Sequence, residues 1–132
     1  MKDVLAELRS GQKASHWMWF VFPQIRGLGS SGTARRYAIA SREEARAYLN
    51  HPVLGARLRA CTQLVLSIEG RGCEQILGYP DDLKFRSCMT LFAQVAPEER
   101  LFRDALQKYF AAEPDPHTLE ILSTSSHRKI SE

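Results

Sequence analysis

Apolar residues recur at intervals of three and four along most of the chain, which is the spacing of one face of an α-helix. Three such stripes cover residues 54–68, 85–92 and 101–110. Long alternating runs, which are typical of half-buried strands, do not occur. The pattern therefore predicts an all-α fold, a single compact array of about six to eight short helices.

Capping residues and prolines predict where these helices begin. Ser41 stands three residues before Glu44, the spacing of a capping box in which the serine hydroxyl accepts from the N–H of the third helical residue. Pro52, Pro80 and Pro97 each suit the first position of a helix, where a missing N–H costs nothing.

The end of the chain differs in character from the rest. A last short helix is predicted from about Asp115 to Leu122. Residues 123–132 are rich in serine and have no apolar face. We therefore expect one helical domain over residues 1–122 and a polar tail over residues 123–132 that is mobile unless something binds it.

The composition is that of an ordinary globular protein. The 132 residues are 44% hydrophobic and 25% charged, which excludes wholesale disorder, a collagen-like repeat and a membrane-embedded protein. The three cysteines include no C-x-x-C pair, and the early acids Asp3 and Glu7 do not suit a signal peptide. We expect a cytoplasmic protein in which Cys61 and Cys88 are buried free thiols.

Positive charge is concentrated in the first third of the chain. The formal net charge is +3, but residues 1–42 carry seven basic and two acidic side chains. This excess has two interpretations, a chance feature of a small surface or a region that attracts an anionic small-molecule ligand. A charge of +3 without a continuous basic face predicts no nucleic-acid binding. The basic residues in question are Lys13, Arg26, Arg35, Arg36 and Arg42.

One segment concentrates the aromatic residues. Trp17, Trp19, Phe20 and Phe22 are four of the twelve aromatic residues and lie within six positions. A segment that is apolar on all sides is typical of a buried central element. Indole rings can also stack on a nucleobase or line a pocket, so Trp17 and Trp19 are candidate ligand contacts.

Polar residues stand at the edges of this aromatic segment. His16 lies beside Trp17 and is a candidate acid or base, since histidine titrates near neutral pH. The alternative is that His16 starts a helix and is satisfied by the backbone. Candidate ligand contacts at the edges are Lys13, Gln24 and Arg26.

A second polar group surrounds the predicted helix start at Pro80. Asp82 and Arg86 are four residues apart, which predicts an ion pair on one helix face. Capping and a solvated helix face would account for these residues. In the functional interpretation Asp82 is a general acid or base, and Lys84 and Ser87 position a ligand.

Motifs for metal and cofactor binding are missing from the sequence. There is no phosphate-binding loop, nucleophile elbow or metal-ligand spacing, and we predict neither a metal nor a cofactor. The glycines at 27 and 29 do not follow a strand, which argues against dinucleotide binding. Cys73 follows a glycine at a possible helix start, where its pKa would be lowered.

Several motifs resemble an uncharacterised bacterial family, a domain-of-unknown-function group that is sometimes mislabelled calpastatin-like. They are Ser15–Gln24 (SHWMWFVFPQ), His51–Gly55, Pro80–Lys84 with Ser87, and Met89–Phe92. The resemblance covers about residues 1–122 and implies a small, mostly helical, cytoplasmic protein without an established reaction.

The chain departs from this family at two places. Members usually have a further amphipathic helix before the segment that matches Met1–Arg9, so we expect a wall of the core or of a pocket to be missing. Cys88 stands where the family usually has a second serine, which weakens any role that needs both hydroxyls.

A more distant likeness suggests a reaction class. The apolar spacing of residues 84–92 and 102–110, followed by Asp115 and residues 118–120, is similar to the C-terminal half of the NADAR group. That likeness implies cleavage of N-glycosidic bonds in nucleotide or ADP-ribose derivatives. Our first hypothesis is a small-molecule-binding protein or N-glycoside hydrolase of this kind. The alternative is a non-catalytic helical interaction module without a small-molecule site.

Overall fold

The computed structural model describes residues 21–26 and 38–131, with side chains as far as Ser123. This part of the chain forms helices and no strand, apart from an isolated parallel bridge between Ile25 and Ile39. The predicted all-α fold is confirmed. The six helices are α1 Arg42–Asn50, α2 Leu54–Ser67, α3 Cys73–Leu77, α4 Asp81–Val95, α5 Arg100–Phe110 and α6 Pro116–Ser131.

Helix α4 lies at the centre of the described fold, where it packs against α1, α3, α5 and α6. Its apolar stripe is fully buried, as the spacing predicted. Each large apolar side chain removed from water stabilises the fold by about 1.5–3 kcal/mol, so this helix contributes a large share of the core. The stripe consists of Phe85, Cys88, Met89 and Phe92.

Helices α2 and α5 pack on each other, and α5 also packs on α4. The stripe residues Leu58 and Val65 of α2 and Phe102 of α5 are fully buried. The rings of Phe92 and Phe102 lie 5.6 Å apart between centroids, which places aromatic contacts between α4 and α5.

The described end of the aromatic segment is also buried. The ring of Phe22 meets the ring of Phe85 edge-on, with 4.9 Å between centroids. The bridge that follows is closed by two hydrogen bonds, from the Arg26 N–H to the Ile39 carbonyl at 2.7 Å and from the Ile39 N–H to the Gln24 carbonyl at 2.8 Å. At Phe22, the segment is therefore part of the core.

The predicted cap of α1 is confirmed, and α4 and α6 each begin one residue after the predicted position. Ser41 caps α1, since its hydroxyl accepts from the Glu44 N–H at 3.1 Å. Helix α4 begins at Asp81, directly after Pro80, and α6 begins directly after Asp115.

Helix α2 begins two residues later than predicted, at Leu54 rather than Pro52. His51 explains the difference, because its Nδ1 accepts from the N–H groups of both Val53 and Leu54 at 3.1 Å. These two donors would otherwise lack a partner at the start of the helix. A histidine side chain therefore caps α2, and Pro52 precedes the helix instead of occupying its first position.

Helix α5 also begins later, at Arg100 rather than Pro97. Residues 96–99 instead form a turn in which the Glu99 N–H donates to the Ala96 carbonyl at 3.0 Å. The acidic residues after Pro97 therefore precede the helix and do not lie in its first turn.

Helix α6 continues to Ser131, past the predicted end at Leu122. Serine is a modest helix former, but extending a helix that has already started costs little. The expected mobility of residues 123–132 stays a prediction, as does the boundary of the domain at residue 122.

Candidate functional site

Asp82 lies in the first turn of α4. Its Oδ1 is buried and has no hydrogen-bond partner. Burial raises the pKa of the Asp82 carboxyl and the charges of Glu74 and Asp81 raise it further, while nearby backbone N–H groups act in the opposite direction. A carboxyl with a raised pKa keeps its proton to a higher pH, which suits a general acid.

Lys84 belongs to the same turn and pairs with an acid. Its Nζ lies 3.2 Å from Oδ1 of Asp81. This pair offsets the charge of Lys84, so the immediate surroundings of Asp82 remain acidic rather than basic. The role of Lys84 as a ligand contact stays a prediction.

The predicted ion pair between Asp82 and Arg86 is wrong. The Arg86 guanidinium donates from Nε to the Glu113 carbonyl and from Nη2 to the Pro114 carbonyl, both at 3.0 Å. It also lies 5.8 Å from the centroid of the Phe110 ring. Arg86 turns away from Asp82 because the loop between α5 and α6 offers it carbonyl oxygens and an aromatic face.

Ser87 is part of a buried polar junction between α4 and α6. Its hydroxyl lies 3.0 Å from Oδ2 of Asp115 and 3.1 Å from the Leu83 carbonyl oxygen. The same Oδ2 accepts from the N–H and the hydroxyl of Thr118, at 3.1 and 2.6 Å. The Thr90 hydroxyl accepts from the Asp115 N–H at 2.9 Å. These contacts give Ser87 a structural role, and its predicted contact with a ligand stays a prediction.

Asp115 is the polar residue at the centre of this junction, and the sequence places it at a helix start without indicating its contacts with α4. It is the N-terminal cap of α6, and two hydroxyl groups of α4 hold it in place. A sequence signal exists for the cap, because Asp115 precedes Pro116 and stands three residues before Thr118. No signal in the sequence indicates its contacts with α4.

Gln24 is buried, with 7% of its surface exposed, and its Nε2 has no hydrogen-bond acceptor. It follows Phe22, whose ring contacts Phe85 one turn along α4 from Asp82. The structure therefore brings the end of the aromatic segment to the first half of α4. The predicted ligand contact Arg26 is exposed at the bridge.

Two comparisons with known proteins find relatives. Residues 1–122 match a family described as a protein of unknown function, DUF1810. The chain belongs to the DUF1810 family. It is also similar to a solved structure, the conserved hypothetical protein Rv1873 from Mycobacterium tuberculosis, with 52% identity and a TM-score of 0.91 over 92% of this chain and 87% of that one. A search of curated proteins finds no match.

Membership of DUF1810 confirms the expectation of an uncharacterised family over residues 1–122. The family description names no reaction, and the likeness to the NADAR group stays a prediction. Four predicted site residues lie outside the described part of the chain, so their place in a DUF1810 site also stays a prediction. They are Lys13, His16, Trp17 and Trp19.

The cysteines of this DUF1810 protein are buried and free, as predicted for Cys61 and Cys88. The prediction of a lowered pKa at Cys73 is wrong. Burial raises the pKa of the Cys73 thiol far above its ordinary value, and the charge of Asp82 adds to the effect. The helix that begins at Cys73 has five residues, and its N-terminal end does not offset this desolvation.

Two further properties of the described residues concern ligands and membranes. Within them, no group of three or more His, Cys, Asp or Glu side chains is arranged to hold a metal ion. None of the helices in the same ranges combines the length and the apolar composition that a membrane crossing requires.

Proposed function

We propose that the protein binds a small, nucleoside-like molecule at the N-terminal end of α4, where Asp82 accepts hydrogen bonds from hydroxyl or amino groups of the ligand. The observation that carries this proposal is the buried Oδ1 of Asp82, which has no hydrogen-bond donor in the described residues. Buried polar atoms in proteins are nearly always hydrogen-bonded, so an unpartnered one is a candidate contact for a ligand.

Gln24 supports the same proposal. Its buried Nε2 lacks an acceptor, and the contact of Phe22 with Phe85 joins its segment to the first half of α4. One unpaired donor and one unpaired acceptor suit a ligand that has both kinds of group, as a nucleobase with its ribose does. The tryptophans at 17 and 19 would then supply stacking surfaces for the base.

The charge near Asp82 limits how such a ligand is oriented. Glu74 and Asp81 lie close enough to raise the pKa of Asp82, so a phosphate group would be repelled from this end of α4. Any phosphate of the ligand would therefore need basic partners elsewhere, and Lys13 and Arg26 are the candidates from the sequence.

The raised pKa of Asp82 suits one reaction in particular. In hydrolysis of an N-glycosidic bond, a protonated carboxyl gives its proton to the departing nitrogen as the carbon–nitrogen bond breaks. Water then bonds to the sugar carbon and loses a proton, which restores the carboxyl. His16 is the second candidate for this proton transfer. Binding alone is the simpler form of the proposal, and hydrolysis is its extension.

Titration calorimetry with nucleosides, nucleotides and ADP-ribose tests the binding. Asp82→Ala should weaken binding about tenfold or more, because a hydrogen bond to a charged group contributes about 1.5–3 kcal/mol. Asp81→Ala, a matched control from the same turn, should leave the affinity within a few-fold. A folded protein that binds none of these compounds would contradict the proposal.

Chromatographic detection of a released base tests the hydrolysis separately. Asp82→Asn keeps an acceptor oxygen but cannot donate a proton as an acid. We expect this variant to retain binding and to lose release of the base. Binding without any release in the unmodified protein would support binding and exclude the hydrolase extension.

An exposed apolar pair favours a second candidate function, the non-catalytic interaction module. Tyr79 is 72% exposed and Leu83 is 44% exposed, and they stand four residues apart at the start of α4. Sedimentation velocity over a range of concentrations tests self-association through this pair. Association that Tyr79→Ser with Leu83→Ser abolishes would favour the module, and it should be unaffected by Asp82→Ala.

A further inference from the structure

A groove of about 330 Å³ runs beside α5, away from Asp82 and its neighbours. Its volume falls within the range of small-molecule sites, about 300–1,000 Å³. Both charged and amide side chains line it, together with the chain reversal that follows the helix. The lining residues are Arg100, Arg103, Asp104, Leu106, Gln107 and Ala112.

The two arginines of this groove are not used by the fold. Both are exposed, and neither guanidinium forms an ion pair or hydrogen bond in the described residues. Asp104 stands four residues after Arg100, within reach of an ion pair on the helix face, yet the pair is not formed. Arg59 shows the contrast, because its guanidinium binds the Glu99 carboxylate through Nε and Nη2 at 3.0 and 2.8 Å.

The two arginines also occupy positions in α5 where a positive charge does not stabilise the helix. Arg100 is the first residue of the helix and Arg103 lies one turn later. Positive side chains are unfavourable at the N-terminal end of a helix, where the dipole is itself positive. No acidic residue lies in this first turn to compensate.

We propose that this groove binds a small phosphate ester, with Arg100 and Arg103 on the phosphate. Side chains three positions apart on a helix lie about 5–6 Å apart at Cβ, so both guanidiniums can reach one anion. One guanidinium can engage both oxygens of a carboxylate, as Arg59 does at Glu99, whereas a phosphate ester has a third terminal oxygen and can accept from two guanidiniums. Asp104 and Gln107 then face the hydroxyl-bearing part of the ester.

The ligand is a small molecule rather than a nucleic acid. Two guanidiniums and one carboxylate give the groove a small positive charge, and tight binding of a nucleic-acid backbone requires many more cationic contacts. The groove is also concave, which suits a compact ligand. This site is independent of the one proposed at Asp82.

Titration calorimetry with glycerol 3-phosphate and with pyrophosphate tests the groove. We expect both to bind, glycerol alone not to bind, and the affinity to fall as salt is added. Arg100→Gln with Arg103→Gln should weaken binding about tenfold or more. Arg46→Gln, which removes an exposed arginine from α1, is the matched control and should change the affinity less than twofold.

Three further variants separate the possible explanations. Arg103→Lys keeps the charge but loses the paired donors, and we expect an intermediate loss. Asp104→Asn should tighten pyrophosphate binding, because it removes a negative charge from the groove. Asp82→Ala should leave the affinity for both probes unchanged.

Three results would overturn the proposal. The first is no binding of either probe at millimolar concentration. The second is equal binding by the double arginine variant and the unmodified protein. The third is tighter binding of a short single-stranded oligonucleotide than of pyrophosphate, lost in the same variants, which would assign the surface to nucleic acid.

Discussion

The backbone of Gly55 lies directly against the carbonyl oxygen of Leu49. A β-carbon built on Gly55 would come within 1.9 Å of that oxygen, so the first turn of α2 and the last turn of α1 touch backbone to backbone. The same carbonyl accepts from Nη1 of Arg59 at 3.2 Å. The absence of a side chain at Gly55 therefore lets α2 approach the end of α1, and Arg59 donates a hydrogen bond to the same carbonyl.

Gly55→Ala should lower the free energy of unfolding by about 1–3 kcal/mol or more, because the added methyl group forces the two helices apart. Chemical denaturation measures the change. Gly72→Ala is the control, since the nearest atom to its β-carbon is 4.0 Å away, and its effect should stay within about 0.5 kcal/mol. Equal stability of both variants would mean that α1 and α2 can separate without cost.

The Arg59–Glu99 pair should couple α2 to the turn before α5. The side chains are 39% and 32% exposed, so we expect a coupling of about 1 kcal/mol in a double-mutant cycle of Arg59→Gln and Glu99→Gln. Arg59→Gln should be the more destabilising single change, because it also removes the donor to Leu49. The coupling should shrink in molar salt, and a coupling of zero at low salt would contradict this assignment.

Asp115→Ala should destabilise the protein by about 1–2 kcal/mol, the usual cost of losing an N-terminal cap. Thermal unfolding and far-ultraviolet circular dichroism measure the stability and the loss of helix. Ser87→Ala should cost less, about 1 kcal/mol, because Asp115 keeps its bonds to Thr118. If Ser87→Ala weakens ligand binding and leaves stability unchanged, the structural role is wrong and the ligand role is supported.

Asp82 should make the protein less stable as the pH rises. Its pKa is raised in the folded state, so between the unfolded and folded pKa values the folded protein binds more protons. The free energy of unfolding therefore falls through this interval, starting near the ordinary aspartate value of about 4.

Asp82→Asn removes this titration. Compared with the unmodified protein, the variant should gain stability as the pH rises from about 4 and then hold a constant advantage. Thermal unfolding across this range measures the difference. Asp81→Asn, which removes a carboxylate paired with Lys84, should not stabilise the protein at neutral pH. If the Asp82→Asn variant is less stable than the unmodified protein at neutral pH, the raised pKa assigned to Asp82 in the folded state is wrong.

Periodicity in the sequence was sufficient to predict the core faces of α2, α4 and α5, because a buried helix face requires apolar residues at every third or fourth position. It was less reliable at helix starts. His51 caps α2 with a side chain that is rarely assigned this role, and the acids after Pro97 lie in a turn. At these helix starts, several neighbouring residues are each compatible with the first helical position. Contacts with other parts of the fold determine which of them begins the helix.

Periodicity in the sequence does not predict the contacts of the candidate sites, because these contacts depend on distances between residues of different elements. The spacing predicts a pair between Arg86 and Asp82 along one helix face, but carbonyl oxygens from the α5–α6 loop accept hydrogen bonds from Arg86 instead. Asp82 could be selected from its place after Pro80 in the first turn of α4. Its unpartnered oxygen depends on what surrounds it in the fold, and a helical pattern carries no information about that.

The central position of α4 makes its backbone a reporter for the whole molecule. Its neighbours α1, α3, α5 and α6 shield it, so its amide protons should exchange with solvent only when the entire fold opens. A ligand that binds only the folded state lowers the equilibrium population of the open state by a factor of one plus the ratio of its concentration to its Kd. Hydrogen exchange at α4 would therefore register occupancy of either proposed site without a probe placed at the site itself.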